Sequence, residues 1–476
     1  MSTTKKIAQN TAIQIVGKAV STLFGLVALG MLTRYLGNEQ FGWYITALTF
    51  LQFVGILIDF GLIPVTAQMV SEATENKETL LQNLLGFRFV TAVIFLGIAP
   101  LIALFFPYPS EVKIAIGFMT ISFLAISMNQ IFTGLYQEKL AMHIPVLGEI
   151  AGRIALVVSV WLLITMKQGF LPLMGAVTGA SLIFTAVLWG SAGTYIKPTF
   201  RFDWPVWKKI MTKMWPITLA IVFNVIYLRG DTLLLSLYRS QGEVGLYGAA
   251  YRVIDILTQI AMMLMGVLLP LLAYSWSRGL KNEFRQRLQQ SFDVMIFIGA
   301  PMMIGVAALS EKIMVLVAGN NFAAAGAPLR VLALAVLGLY LGAIFGHTAV
   351  AINKQKQTLW IYISSAGLTL LGYLIFIPKF GMSGAAWMTV FSEMFTGTLL
   401  FLVVRHYAKE SLQFAAAGKI IFSALVMGGI IWLLREQSLF LLIPIGIAAY
   451  GSFVFGLGAI SKQTMQEILS FRKPPI

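Results

Sequence analysis

The chain has 476 residues, 58% of them apolar, 12% aromatic and only 11% charged. Soluble domains carry roughly a quarter charged residues, so this composition excludes a water-soluble enzyme, a coiled coil and a disordered chain. It predicts an all-α polytopic membrane protein, and the net charge of +15 then reads as positive loops on one side of the bilayer rather than as a nucleic-acid footprint.

Apolar runs of about 20 residues, the length that crosses a bilayer, predict about 14 transmembrane helices. In chain order they cover residues 11–33, 41–66, 85–106, 114–136, 145–165 and 171–191, then 215–237, 246–272, 292–309, 331–352, 359–377 and 384–404, and finally 415–434 and 439–460. Lys5 and Lys6 precede a first run that lacks the short apolar core and small-residue cleavage site of a signal peptide, so it is expected to stay as a span. With the N-terminus inside, the inner connections hold 21 Lys and Arg residues and the outer ones 8. That bias predicts that both termini are cytoplasmic.

The strongest basic block lies between Ser191 and Trp215, in the longest polar connection between spans. It marks a boundary. Residues 1–200 are expected to form a six-helix N-terminal lobe, 201–410 a six-helix C-terminal lobe, and 411–476 an additional helix pair with a cytoplasmic tail. The two halves look repeated. Gln40-Phe41-Gly42-Trp43-Tyr44 opens the second span and Glu243-Val244-Gly245-Leu246-Tyr247 the eighth, with Gly42 and Gly245, Tyr44 and Tyr247, and Ala47 and Ala250 at one offset. Both halves would start inside, so the repeat is parallel.

A charge at the centre of a membrane helix costs about 2.5–3.5 kcal/mol on insertion scales, so such residues turn toward a cavity or a partner. Away from the membrane faces, the spans contain five cations, Lys18, Arg88, Arg153, Arg229 and Arg252, and five anions, Asp59, Glu149, Asp231, Asp255 and Glu393, while Asp293 and Lys419 are placed near an inner face and counted outside them. They balance, so the whole +15 lies outside the spans and reports topology. What bears on an anionic cargo is the local arrangement of the buried cations.

Gln14, Lys18, Ser21 and Gly25 are spaced by 4, 3 and 4 residues and share one helix face. This polar stripe suits a water-filled lumen; snorkelling of Lys18 to the inner interface is the alternative. Arg88 stands early in the third span, facing either the lumen or the interface. Gln52 and Asp59 share a face of the second span. Glu149 and Arg153 stand in the acid-then-base order that also allows mutual neutralisation. Arg252, Asp255 and Gln259 share a face of the eighth span, where Arg252 is placed either to hold an anion or to be neutralised by Asp255. Glu393 lies between Thr389 and Thr396 on its own face of the twelfth span, and a lone buried carboxylate can take up a proton. Asp59, Asp255 and Glu393 are the candidates for ion coupling.

Cysteine is absent, and His143, His347 and His406 lie far apart, so thiol chemistry and a histidine metal site are not expected. No phosphate loop of the form G-x-x-x-x-G-K-[ST] and no H-E-x-x-H occurs. No cofactor and no catalytic residue is assigned.

Three stretches resemble a known family. Leu36-Gly37-Asn38-Glu39-Gln40-Phe41-Gly42-Trp43-Tyr44, followed by a span ending Ile58-Asp59-Phe60-Gly61-Leu62, is similar to the start of bacterial polysaccharide flippases of the Wzx type. Gly245-Leu246-Tyr247-Gly248-Ala249-Ala250-Tyr251-Arg252 resembles their second-half equivalent, and Ile377-Pro378-Lys379-Phe380-Gly381-Met382-Ser383-Gly384-Ala385-Ala386 their approach to the twelfth helix. The superfamily also holds multidrug extruders and lipid II flippases. The resemblance implies two six-helix lobes around a central cavity, alternating access, and a location in the bacterial inner membrane. It implies a polyprenyl-pyrophosphate-linked oligosaccharide as cargo, moved from the inner to the outer leaflet. A cationic lumen would receive the pyrophosphate, with Lys18, Arg88, Arg153 and Arg252 as candidates and Gln14, Ser21, Gln52 and Gln259 as polar lining. Coupling to a proton or sodium gradient is implied as well. Such a protein is not an enzyme. The rival within the same pathway is a membrane polymerase or ligase, which would usually carry a large catalytic outer loop. The longest outer stretch here, roughly Ser310 to Arg330, is mostly small and apolar.

Overall fold

The computed structural model of the chain describes residues 3–59 and 77–459. Every described element is helical, as a bilayer requires of an open chain whose backbone groups must pair internally. The run Thr3–Asp59 is broken at Gly37, which holds φ 68° and ψ −178°. Its two parts are α1 (residues 3–36) and α2 (residues 38–59). There follow α3 (Lys77–Leu104), α4 (Ser110–Glu138), α5 (His143–Thr165), α6 (Phe170–Ala192), α7 (Trp204–Tyr238), α8 (Gln241–Ser277), α9 (Lys281–Ala318) and α10 (Gly326–Ala351). The run Gln355–Ala408 is broken at Gly381, with φ 57°, into α11 (residues 355–380) and α12 (residues 382–408). Last come α13 (Ala415–Leu433) and α14 (Leu439–Gly456). Fourteen helical segments result, one for each apolar run. Eleven of the continuous helices are long and apolar enough to cross a membrane.

The segments overrun the apolar runs. The ninth run begins at residue 292, but α9 begins at Lys281, and α8 continues to Ser277. Hydropathy marks the part inside hydrocarbon, whereas a helix goes on wherever its backbone bonds are still satisfied. The basic residues Arg278, Lys281, Arg285 and Arg287 therefore sit at a helix–helix turn. Residues 60–66 of the second expected span, and the chain beyond residue 459, lie outside the described residues.

Contacts divide the chain into two compact units. The first comprises Met1–Gly248, Val317–Phe322 and Leu370–Ala385. In it, α5 packs on α6 through Gly148 and Gly152, where added Cβ atoms would stand 2.7 Å from a Leu188 methyl and 2.9 Å from the Ala180 carbonyl oxygen. Small residues four apart allow such approaches in lipid, where packing rather than water exclusion drives association. The connection between the halves, residues 193–203, is docked on α3. The Arg201 N–H donates to the Gln82 carbonyl at 3.1 Å. Asn83 exchanges two hydrogen bonds with Asp203, each 2.9 Å, and Gln82 Nε2 donates to the Lys197 carbonyl at 3.0 Å. Phe89 stacks on Phe200 with ring centroids 4.7 Å apart.

The second unit comprises Ala249–Leu316, Ala323–Thr369 and Ala386–Ile476. Within it the buried Tyr340 hydroxyl donates to the Leu257 carbonyl at 3.1 Å, and Gly338 lets α10 reach the backbone of α12 at Glu393, 2.6 Å from a virtual Cβ. The C-terminal pair is fastened to α9 along its length. The Tyr450 hydroxyl donates to the Phe297 carbonyl at 2.7 Å, Gln289 exchanges two hydrogen bonds with the Gln413 backbone, and Lys312 Nζ donates to the Gln437 carbonyl.

Candidate functional site

The polar face of α1 meets α5. Gly17 makes the approach possible, since a Cβ there would stand 2.2 Å from a Val146 methyl. At the next residue, Lys18 Nζ lies 3.1 Å from Glu149 Oε1, and the same oxygen accepts the buried Ser21 hydroxyl at 2.6 Å. Two turns on, a Cβ on Gly25 would be 3.7 Å from a terminal nitrogen of Arg153, so the guanidinium lies beside the bare backbone of α1. Gln14 heads the stripe and is exposed. The structure thus gathers Lys18, Ser21, Glu149 and Arg153 at one seam.

Glu149 turns to Lys18 across the helices. Among the described residues no carboxylate stands within ion-pair distance of the half-buried Arg153. Lys18 takes the ion pair with Glu149, and Arg153 adds a second positive charge within electrostatic reach of the same carboxylate. The pair itself is held in place: removing Glu149 alone leaves Lys18 uncompensated where water is scarce. We expect Glu149→Gln to cost about 1–3 kcal/mol, read as a lower midpoint of thermal unfolding. The double replacement Lys18→Met with Glu149→Leu is expected to recover most of it, because an apolar pair carries no desolvation cost.

The other predicted residues fall elsewhere. Arg88 is 1% exposed. Its Nε donates to the Ser127 carbonyl at 3.2 Å, and a terminal nitrogen donates to Gln130 Oε1, both on α4. Arg252 and Asp255 form a pair in α8 at 3.5 Å, with Gln259 half-buried one turn on. Glu393 is 3% exposed on α12, and next to it Thr396 donates to Ser365 at 2.8 Å, both buried. Gln52 is half-buried on α2. The side chain of Asp59 lies outside the described residues.

Two groups were not anticipated. Asp231, fully buried, accepts the Tyr247 hydroxyl at 2.5 Å and both the N–H and the hydroxyl of Thr232. In the sequence Tyr247 stands out as a repeat position and as part of the family-like stretch, with nothing to link it to Asp231. Glu243 binds Arg239 at 3.0 Å and accepts the Met382 N–H at 3.1 Å, a link for which spacing gives no sign.

Comparison with known proteins adds to this geometry. Residues 7–276 match the family described as "Polysaccharide biosynthesis protein". The chain is 22% identical over 422 residues to the "Probable low-salt glycan biosynthesis flippase Agl15" of Haloferax volcanii, covering 86% of each. It is 24% identical over 350 residues to the "Succinoglycan biosynthesis transport protein ExoT" of Rhizobium meliloti, covering 69% of this chain and 66% of that one. Its fold is similar to that of a solved structure titled "Lipid II flippase MurJ, inward closed conformation", with TM-score 0.77, 17% identity, and 92% and 97% of the two chains covered.

Proposed function

The chain belongs to the polysaccharide biosynthesis protein family, is a multi-pass membrane protein and has a flippase-type function; from that premise we propose that its cargo is an oligosaccharide on polyprenyl pyrophosphate, carried from the inner to the outer leaflet. The observation that supports this reading is the α1–α5 seam, where Arg153 is held beside Gly25 and, among the described residues, no carboxylate stands within ion-pair distance of it. A pyrophosphate cannot shed its hydration in a low-dielectric interior unless cations and donors replace it. Arg153 offers a planar fork suited to phosphate oxygens. Lys18, Ser21 and Gln14 extend the polar surface toward one membrane face. Arg88 would have to leave Gln130 and the Ser127 carbonyl to join them.

In this reading the repeat-related lobes, residues 1–200 and 201–410, move by alternating access, and residues 411–476 brace the second lobe. Both termini face the cytoplasm of a bacterial inner membrane. A proton or sodium gradient drives the cycle, with Asp59, Asp255 and Glu393 as coupling groups. The protein makes and breaks no bond of its cargo.

The test is reconstitution. Purified protein in liposomes, loaded with a fluorescent polyprenyl-pyrophosphate oligosaccharide, is expected to render the cargo accessible to an impermeant quencher faster than empty liposomes do. No acceleration, or formation of a new glycosidic bond by the purified protein, would sink the proposal. A lipid II cargo is the second reading, favoured by the fold shared with the lipid II flippase, and presenting both cargoes side by side separates the two.

A further inference from the structure

The connection between the halves, with the first turns of α7, has two faces of different character. The inward face is packed. Phe200 stacks on Phe89, Ile196 and Ile210 are buried, and Trp207 meets Phe87 edge-on with ring centroids 5.4 Å apart. The outward face carries Phe202, 59% exposed, and Trp204, 65% exposed, together with the exposed cations Lys197, Arg201, Lys208 and Lys209. Among the described residues no carboxylate stands within ion-pair distance of these four cations. The acids close by bond elsewhere. Asp203 Oδ2 accepts from Asn83 at 2.9 Å, and Glu78 Oε1 accepts the Lys197 N–H at 2.9 Å. The turn between α8 and α9 also carries four cations, but there Arg285 lies 3.8 Å from Glu410, Arg287 pairs with Glu283, and the Arg278 guanidinium stands 5.3 Å from the Tyr274 ring centre.

We propose that the outward face of residues 197–209 binds the headgroups of anionic phospholipids in the surrounding bilayer. Phe202 and Trp204 stand between the end of α6 at Ala192 and the apolar run that begins at Trp215, which is the depth of the headgroups. Large aromatic side chains are unfavourable in open water and favoured at that border. A lysine beside them lays its stem along the apolar surface and sends its ammonium to a lipid phosphate. Clusters of cations next to a span attract anionic lipid in this way. The backbone here is already bonded to α3, so little further ordering is needed when a lipid binds. A free phosphate would use the cations alone and leave the two rings exposed. Neither the cargo nor its direction of movement enters, so the proposal stands apart from the flippase reading.

The absence of cysteine allows a single reporter. Thr199 is exposed within the connection, so Thr199→Cys protein is labelled there with a nitrobenzoxadiazole fluorophore and reconstituted in phosphatidylcholine vesicles. Lipids carrying a nitroxide near the top of one acyl chain quench the label when they lie beside it. Spin-labelled phosphatidylglycerol is expected to reach half-quenching at a mole fraction about threefold or more below that of spin-labelled phosphatidylcholine. Equal mole fractions for the two lipids in this protein overturn the proposal. Adding Lys208→Gln with Lys209→Gln, both exposed on α7, should at least halve the preference without disturbing the packed face. An unchanged preference overturns the assignment to these cations. Lys281→Gln with Arg285→Gln removes the same charge from the turn between α8 and α9 and should leave the preference as it was. An equal fall in both double variants also overturns the proposal, because the preference would then follow the net charge of the chain.

Discussion

Arg153→Ala is expected to cut cargo movement by about 10- to 100-fold while leaving the midpoint of thermal unfolding close to that of the unmodified protein. Arg88→Ala is expected to lower that midpoint clearly. The two residues look alike in the sequence, each an arginine inside an apolar span. Their surroundings separate them. Arg153 is half-buried against Gly25 and has no carboxylate within ion-pair distance among the described residues, so deleting it removes little from the packing. A charge-assisted hydrogen bond to cargo is worth about 1.5–3 kcal/mol, which sets the size of the transport loss. Arg88 is 1% exposed and is bonded to the Ser127 carbonyl and the Gln130 side chain. Truncating it removes these bonds and leaves a hole between α3 and α4, at a cost of about 3–5 kcal/mol. Reconstituted movement and thermal unfolding of the same preparations read both effects. Arg153→Lys should keep part of the transport, since the charge stays and the fork is lost. Full transport in Arg153→Ala protein would remove the seam from the mechanism.

The fourteen segments were legible because a bilayer imposes one length and one composition on whatever crosses it. Their true ends were not, since α8 and α9 run on past the hydrocarbon to Ser277 and from Lys281. Gly37 and Gly381 were visible as members of motifs, but nothing in a linear pattern marks them as the points where φ turns positive. The face shared by Lys18, Ser21 and Gly25 followed from 4-3-4 spacing alone. Its partner did not. Spacing within α5 pointed Glu149 toward Arg153, whereas the seating of Gly17 on Val146 sets an interhelical register that brings Lys18 to Glu149 instead. Register between helices depends on side-chain shapes along two separate stretches of chain, which no single-helix pattern contains. Arg88 hid for a related reason: one of its acceptors is a backbone carbonyl, and every residue has one.

Gly86→Val is expected to release the connection between the halves and to expose it to protease. A basic run of this kind reads in sequence as a solvated tether, yet residues 193–203 lie along α3 as a fitted strap. A Cβ on Gly86 would stand 2.1 Å from the Arg201 carbonyl oxygen, and backbone cannot yield as a flexible side chain does, so a branched residue must lift the strap. With it go the Arg201 N–H bond to Gln82, the Lys197 N–H bond to Glu78 at 2.9 Å, and the two bonds between Asn83 and Asp203. At about 1 kcal/mol net for each, the strap is worth about 3–5 kcal/mol. Asn83→Ala removes only the Asp203 pair and should cost about 2 kcal/mol. Trypsin supplies the measurement, because Arg201, followed by Phe202, is an exposed cleavage site within the strap. Backbone held to α3 cannot enter a protease cleft, so the unmodified protein should resist cutting there. Gly86→Val protein should be split into two fragments at least about tenfold faster, with Asn83→Ala intermediate. Equal rates in all three would mean that the strap detaches freely. Resistance in the unmodified protein would mean that α7, which begins at Trp204 directly after Asp203, has its starting point fixed by α3.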